Sequence, residues 1–273
     1  MAEPLTVAYP GREGAHSAAA CGLLFPETEA QAMPSFSDVV AAVGSGRVEA
    51  GVLPIESSIA GPVAETHDLL VGSATSINAQ LILPIRHFLV GVAEVPLDEI
   101  RIIRSHPVAL DQCRRLLASL PKAEAIAAGT TADAAAQVAR DAEPTEAAIA
   151  SELAAALHGL VVLAADIGDH PEAYTRFVAI SNRTQLSEDG DWRIAFSFQT
   201  DHRPGALHRA IEPFARHALD LVQLTSRPIP QTPWRYRFDA VLAGHPLDPV
   251  VSETLGEVRS QAQRFTVFGS YPA

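Results

Sequence analysis

The chain has 273 residues, of which 48% are hydrophobic and 19% charged, a composition that can fill ordinary globular cores. Its net charge of −12 argues against nucleic acid or an anionic membrane as a partner. The N-terminal segment "MAEPLTVAYP" lacks the basic flank and apolar core of a signal peptide. The most apolar segment, "AAIASELAAALHGLVVLAA", is interrupted by Glu152 and His158, so we do not expect it to span a membrane.

Few residues of this chain suit covalent or metal chemistry. Cys21 and Cys113 lie far apart without metal-ligand spacing, which favours reduced, structural thiols in a cytoplasmic protein. Lys122 is the single lysine, so a Schiff-base or pyridoxal-phosphate mechanism has almost no candidate residue. The ten histidines include no pair at the helical spacing of metal ligands.

In the first 60 residues the predicted elements alternate between strand and helix. "LTVAYPG" predicts a strand, "HSAAACGLLF" a helix, "SFSDVVAAVGSG" a helix capped by Ser37, and "EAGVLPI" a buried strand. This alternation indicates an α/β sheet with mainly parallel strands.

The same pattern restarts near Leu81. Strands are predicted in "LPIRHFLVGV", "IRIIRSH", "EAIAAG" and "LVVLAADI". Helices are predicted in "PVALDQCRRLLASL", "TTADAAAQVARDA" and "EAAIASELAAALHG". Two similar lobes in tandem predict a cleft between them, where ligands of open α/β sheets bind.

The last 80 residues have a different character. After a polar linker at residues 184–190, the segments from "WRIAFSFQT" to "AQRFTVFGSYP" follow the order βαββαβ of a ferredoxin-like domain. We therefore predict two domains, residues 1–183 and residues 191–273.

Polar side chains stand at several strand ends and helix starts. Glu56, Ser57 and Ser58 directly follow a buried strand, and Thr175 and Arg176 stand at the mouth of the strand "RFVAI". Ser105 is a candidate N-cap before Pro107, and Thr130 or Thr131 caps the helix after "AAG". Each feature alone is also what an ordinary turn or cap requires. Together, helix starts from both lobes could face one cleft and bind a small dianion.

The motifs "VAYPGREGAHS", "GVLPIESSIAGPVAETHDLL", "SHPVALDQC", "YTRFVAI", "RPGAL" and "TSRP" occur in the order typical of prephenate dehydratases. The chain resembles this family over essentially its whole length. The resemblance implies a bilobed catalytic domain with a type 2 periplasmic-binding-protein-like fold, followed by an ACT regulatory domain. It also implies conversion of prephenate to phenylpyruvate, water and carbon dioxide, without a metal or organic cofactor.

The resemblance also implies which residues act. Thr175 and Arg176 would be catalytic. Because the pKa of a threonine hydroxyl lies far from neutrality, an oriented hydrogen bond from Thr175 to the leaving hydroxyl is favoured over full proton transfer. Arg176 would hold a substrate carboxylate or lock the cleft, and Phe177 would also pack in the core. The implied substrate-binding residues are Ser17, Glu56, Ser57, Ser58, Gly61, Ser105, Thr131 and Phe177.

In the C-terminal domain the resemblance implies a site for the effector L-phenylalanine and assembly into a homodimer or homotetramer. A purely structural dimerisation domain is the alternative. The implied effector-binding residues are Gly205, Ala206, Leu207, Thr225, Ser226, Arg227 and Pro228.

Several positions depart from the family pattern. Ser57 and Ala173 stand where asparagine is usual, Ala15 replaces a hydroxyl residue, and Thr225 replaces a glutamate. Each lost hydrogen bond to a charged substrate would cost about 1.5–3 kcal/mol. Three alternatives therefore stay open: a sensor without turnover, dehydration of arogenate, and decarboxylation of prephenate without aromatisation.

Overall fold

The computed structural model describes residues 5–183 and 190–273, and the predicted α/β class is confirmed. The helices are α1 (His16–Leu24), α2 (Phe36–Gly44), α3 (Ala64–Gly72), α4 (Pro107–Asp111), α5 (Arg114–Ser119), α6 (Thr131–Asp141), α7 (Glu152–His158), α8 (Ala206–Arg216) and α9 (Pro249–Gln261). The strands are β1 (Thr6–Pro10), β2 (Glu29–Met33), β3 (Ala50–Ser57), β4 (Gly61–Pro62), β5 (Ser76–Pro84), β6 (Phe88–Gly91), β7 (Ile102–Ser105), β8 (Glu124–Ala127), β9 (Glu146–Ala150), β10 (Val161–Ala164), β11 (Tyr174–Ser181), β12 (Trp192–Gln199), β13 (Asp220–Pro228), β14 (Tyr236–Ala243) and β15 (Arg264–Pro272). None of these helices has the length and apolar character needed to cross a membrane.

The chain forms two compact units. The first unit consists of Met1–Val39, Val52–Val63 and Leu81–Phe177, and the second of Val40–Gly51, Ala64–Gln80 and Val178–Ala273. Residues 184–189 of the predicted linker lie outside the described part of the chain. The division into domains 1–183 and 191–273 stays a prediction.

The first unit contains a five-stranded sheet in the order β10-β6-β9-β7-β8. In this sheet β7 pairs in parallel with β8 and β9, whereas β6 pairs antiparallel to β9 and β10. Its faces bury Val90, Ile103 and Ile149 against neighbouring helices. A second group of strands has the order β11-β3-β1-β2, with the short β4 paired to β3. Most of its residues belong to this unit, which ends within β11 at Phe177.

One predicted helix is partly wrong. The segment "EAAIASELAAALHG" contains strand β9 followed by helix α7. The alanine-rich start favours a helix by propensity, but β9 lies between β6 and β7 and is mostly buried, so pairing with two neighbours outweighs that preference. Ser151 then caps α7, because its hydroxyl accepts a hydrogen bond from the N–H of Ala154 at 3.0 Å.

Two predicted caps are also wrong by one or two residues. Ser35 rather than Ser37 accepts the bond from the N–H of Asp38 at the start of α2, at 3.1 Å. At α4 the cap is His106 rather than Ser105. Neighbouring polar residues compete for the same backbone N–H groups, so the sequence alone does not determine which residue caps the helix.

The second unit confirms the βαββαβ order, with β12, α8, β13, β14, α9 and β15 in succession. Its strands are ordered β13-β14-β12-β15, and β15 is joined in parallel by β5. At that junction a Cβ on Gly269 would lie 2.2 Å from the carbonyl oxygen of Ile77, so the close approach requires glycine. Phe196, Phe198 and Phe214 form the centre of its core.

Candidate active site

The first residues of β11, which we call its mouth, are Tyr174 and the triplet Thr175, Arg176 and Phe177. Phe177 is 2% exposed and anchors the strand in the core, whereas Thr175 and Arg176 are half-buried. Nη1 of Arg176 lies 3.3 Å from Oε2 of Glu56. Nε of Arg176 is buried and has no hydrogen-bond partner among the described residues. One side of the guanidinium is thus held by a carboxylate, while a buried donor stays unused.

The loop between β3 and β4 is fastened to this mouth. Ser58 and Tyr174 exchange two bonds: the N–H of Ser58 donates to the carbonyl of Tyr174, and the N–H of Tyr174 donates to the Ser58 hydroxyl, both at 2.9 Å. The Ser57 hydroxyl accepts bonds from the backbone of the loop itself. Gly61, with φ of 78°, supplies the left-handed turn that returns the chain to β4. The structure therefore brings Glu56, Ser57 and Ser58 next to Thr175 and Arg176.

The loop after β1 is tied to the starts of α6 and α7. Nε of Arg12 lies 2.6 Å from Oδ1 of Asp133 in α6, and the Ser151 hydroxyl donates to the carbonyl of Gly14 at 2.7 Å. Helix α1 then begins at His16 without a side-chain cap. Its free N–H groups beside Ser17 make that helix start suitable for an anion.

Two other predicted residues differ in availability. Thr131 is the first residue of α6 and is half-buried, directly after Thr130, which caps the helix. Ser105 is fully buried, and its hydroxyl donates to the carbonyl of Ile149 at 2.6 Å. Ser105 therefore supports the sheet core, and its predicted contact with substrate is not favoured by this position. The substrate-binding roles of all these residues stay predictions.

Sequence reasoning missed a pair of histidines in the first unit. The rings of His16 and His87 meet edge to face with centroids 6.1 Å apart, and Nε2 of His87 lies 2.8 Å from Oε1 of Gln112. Burial, together with the neighbouring His87, lowers the pKa of His16 to about 4 against a weaker opposing bond to the backbone of Arg86. Burial also lowers the pKa of His87. Both imidazoles are therefore neutral at pH 7.

In the second unit the predicted effector residues lie in two segments. Gly205 is the N-cap of α8 with φ of 77° and no side-chain cap, followed by Ala206 and Leu207. Residues 225–228 form the end of β13, paired with β14. The Arg227 guanidinium donates to the carbonyl of Ala64 at 3.2 Å and contacts Asp68 at 3.5 Å. That arginine is therefore already engaged by α3.

A buried ion network that the sequence did not indicate surrounds this contact. Arg237 bonds to Asp239 at 3.1 Å and to Asp68 at 2.6 Å, and Arg237 and Asp239 are almost fully buried. Burial alone would raise the pKa of Asp239, but bonds from His67, Arg237 and Ser197 outweigh it and lower that pKa. The carboxylate therefore stays ionised inside the unit.

Comparison with known proteins assigns these features to a family. The family model described as "Prephenate dehydratase" matches residues 7–185. The bifunctional chorismate mutase/prephenate dehydratase of Stutzerimonas stutzeri is 35% identical over 274 residues, spanning 100% of this chain and 74% of that protein.

Two solved structures are similar along almost the whole chain. Prephenate dehydratase from Arthrobacter aurescens in complex with L-Phe has a TM-score of 0.90 at 30% identity and covers 98% of this chain and 90% of its own. GqqA, described as a novel type of quorum quenching acylase, has a TM-score of 0.88 at 30% identity and covers 98% of both chains. Because the family model matches most of the chain, and a relative at 35% identity matches all of it, the chain belongs to the prephenate dehydratase family of enzymes.

Proposed function

We propose that this enzyme converts prephenate to phenylpyruvate, carbon dioxide and water at the mouth of β11. The observation that carries the proposal is the ion pair of Arg176 with Glu56, next to Thr175, in a loop fastened by the two bonds between Ser58 and Tyr174. A fixed cation and an adjacent hydroxyl suit a substrate that carries carboxylates and a leaving hydroxyl.

The reaction needs little chemical power from the protein. The bond from the ring to its carboxylate breaks and releases carbon dioxide, and the electron pair enters the ring. The carbon–oxygen bond on the opposite side breaks, the ring becomes aromatic, and hydroxide departs and takes a proton to form water. The enzyme therefore has to orient the dianion and stabilise the charge that develops on the departing oxygen.

Arg176, the start of α1 and Thr175 each contact a different group of the substrate in this proposal. Arg176 has five N–H donors and is held at Nη1 by Glu56, so its half-buried guanidinium has further donors for a substrate carboxylate. The uncapped start of α1 offers further N–H groups to the second carboxylate. The Thr175 hydroxyl donates to the leaving oxygen, and this bond strengthens as negative charge develops there.

The test is turnover of prephenate by the purified full chain, with phenylpyruvate followed by its absorbance in alkali. Thr175→Ala should lower kcat by about 100-fold or more, and Thr175→Ser should recover much of that loss, because the hydroxyl is restored. Thr145→Ala, in a loop before β9, is the matched control and should keep the wild-type rate.

Two results would contradict this function. Equal rates for wild type and Thr175→Ala would remove the assigned role of the hydroxyl. Absence of phenylpyruvate with the folded wild type would favour the alternatives, and the products would separate them. Phenylalanine formed from arogenate would indicate arogenate dehydration, and a non-aromatic keto acid would indicate decarboxylation alone.

We further propose that L-phenylalanine binds the second unit and inhibits turnover. The uncapped start of α8 at Gly205 suits the carboxylate of an amino acid, and the Arthrobacter aurescens relative is described in complex with L-Phe. In the assay above, millimolar L-phenylalanine should suppress turnover and raise the melting temperature. No effect on either quantity would leave the second unit with a structural role.

A homo-oligomer is part of the same proposal. Strand β13 stands at the end of its sheet and exposes Val222 and Leu224, as an edge strand that pairs with another copy would. Light scattering on the purified protein should give a mass of two or four chains. A monomeric mass at working concentration would contradict this.

A second candidate is hydrolysis of an acyl amide, favoured by the similarity to GqqA over 98% of both chains. The Ser57 and Ser58 hydroxyls already accept bonds from backbone N–H groups, an arrangement that orients them but does not activate a nucleophile. Incubation with an N-acyl homoserine lactone distinguishes the two functions, because release of the free amine reports acylase activity alone.

A further inference from the structure

The second unit contains a pocket that none of the functions above uses. It has a volume of about 520 Å³, within the range of small-molecule sites, and opens where β12 ends and β14 and β15 begin. The effector segments 205–207 and 225–228 do not line it. The residues that carry the inference are Asp201, Arg235, Tyr236, Phe238, Gln263 and Arg264.

The lining of this pocket is positively charged, although the protein has a net charge of −12. Asp201 is the acidic residue of the lining, and it is occupied by Arg203 at 3.1 Å and by Gln263 at 2.7 Å. Arg235 and Arg264 meet no carboxylate within residues 5–183 and 190–273. By contrast, Arg216 and Arg237 in the same unit pair with carboxylates. Two exposed guanidinium groups on one cavity, without a carboxylate partner in the described part of the chain, suit an anion.

The loop that presents Arg235 is built with backbone strain. Gln231 and Trp234 have φ of 61° and 63°, in the left-handed region that residues other than glycine rarely adopt. The N–H of Ile229 donates to the carbonyl of Arg235 at 2.9 Å and closes the loop on itself. Strained residues that a closed loop holds in place are typical of ligand-binding segments.

Two aromatic rings form part of the lining, beside the polar Gln199, Thr200, His202 and Thr232 and the apolar Ile229 and Pro230. Tyr236 and Phe238 line the cavity, and Phe238 stacks on Phe198 with centroids 5.4 Å apart, which fixes its ring. A planar apolar group would pack against these rings. Because the Asp201 carboxylate is already taken, the lining offers no free anionic acceptor to a ligand ammonium group.

We propose that this pocket binds a small aromatic carboxylate that lacks an amino group. The carboxylate lies between Arg235 and Arg264, and the ring lies on Tyr236 and Phe238. This site is separate from the amino-acid effector site, and it does not rest on the proposed reaction.

The experiment is isothermal titration of the full chain with phenylacetate as the probe, beside L-phenylalanine and inorganic phosphate. Phenylacetate should bind saturably and more tightly than phosphate. Arg264→Gln and Arg235→Gln should each weaken it about tenfold or more, as loss of a charged hydrogen-bonding partner does. Arg259→Gln is the matched control, because that guanidinium lies over Phe265 outside the lining. Trp234, 80% exposed beside Arg235, gives a second readout by fluorescence.

Several outcomes would overturn the proposal. The first is that millimolar phenylacetate produces no heat. The second is that both arginine variants bind phenylacetate as tightly as wild type, at an unchanged melting temperature. The third is that phosphate binds as tightly as phenylacetate. L-phenylalanine competing with phenylacetate, with the same dependence on Arg235 and Arg264, would instead assign the pocket to the amino-acid effector. Inhibition of turnover by L-phenylalanine tests the other site, so the two failures are distinguishable.

Discussion

The neutral His16 makes a quantitative prediction about stability in acid. Its pKa is about 4 in the folded chain against 6.5 for a free histidine. Because the folded pKa is the lower one, the unfolded chain binds more protons between these two values, and stability falls as pH is lowered through that window. At about 1.36 kcal/mol per pH unit, the loss attributable to His16 by pH 4 is about 3 kcal/mol.

The assay is urea unfolding between pH 4 and pH 7 for wild type and His16→Phe. Phenylalanine keeps the edge-to-face contact with His87 but binds no proton, so the free energy of unfolding of the variant should depend less steeply on pH. His170→Gln, at an exposed histidine, should leave the slope unchanged. Parallel pH dependences for wild type and His16→Phe would refute the reasoning, because they would show that His16 is not the group that binds the proton.

Three further substitutions test other parts of the structure. Asp239→Ala should lower the free energy of unfolding, measured in urea, by about 3–5 kcal/mol, because it leaves Arg237 buried beside fewer partners. Asp68→Asn, at the half-exposed end of that network, should lower it by about 1 kcal/mol or less. Gly14→Val should cost about 1–3 kcal/mol and lower the melting temperature, since φ is 83° and a Cβ would come within 3.0 Å of α7; a melting temperature equal to wild type would contradict this contact. Glu56→Gln should lower kcat/KM about tenfold or more if Arg176 acts as proposed, because its guanidinium loses the carboxylate that orients it, and an unchanged value would contradict that role of the ion pair.

The elements that were predicted correctly are those whose pattern of apolar residues is complete within one short segment of the chain. The strand "RFVAI" was predictable because a short run of aromatic and β-branched residues agrees with its burial, and the βαββαβ order because apolar alternation and helical spacing agree with the final packing. Strand β2, with the segment "EAQAM", was missed because it is largely exposed and has neither the apolar alternation nor the β-branched residues of a typical strand. Strand β9 was mistaken for helix because its alanines carry a helical preference that only its two partner strands overrule.

The parts of the sites that escaped prediction depend on residues far apart in the chain. His16 and His87 are separated by about 70 positions, and Asp68 meets Arg237 across 169. No spacing rule connects such residues, because each pair forms only when different elements pack together. The same limit explains Arg227: its motif suggested an effector ligand, but its guanidinium also contacts α3, an interaction that the sequence does not indicate. If L-phenylalanine binds at β13 and displaces that arginine, the contacts of Arg227 with Ala64 and Asp68 of α3 break. Arg227 is therefore both a predicted effector ligand and a candidate link between effector binding and turnover.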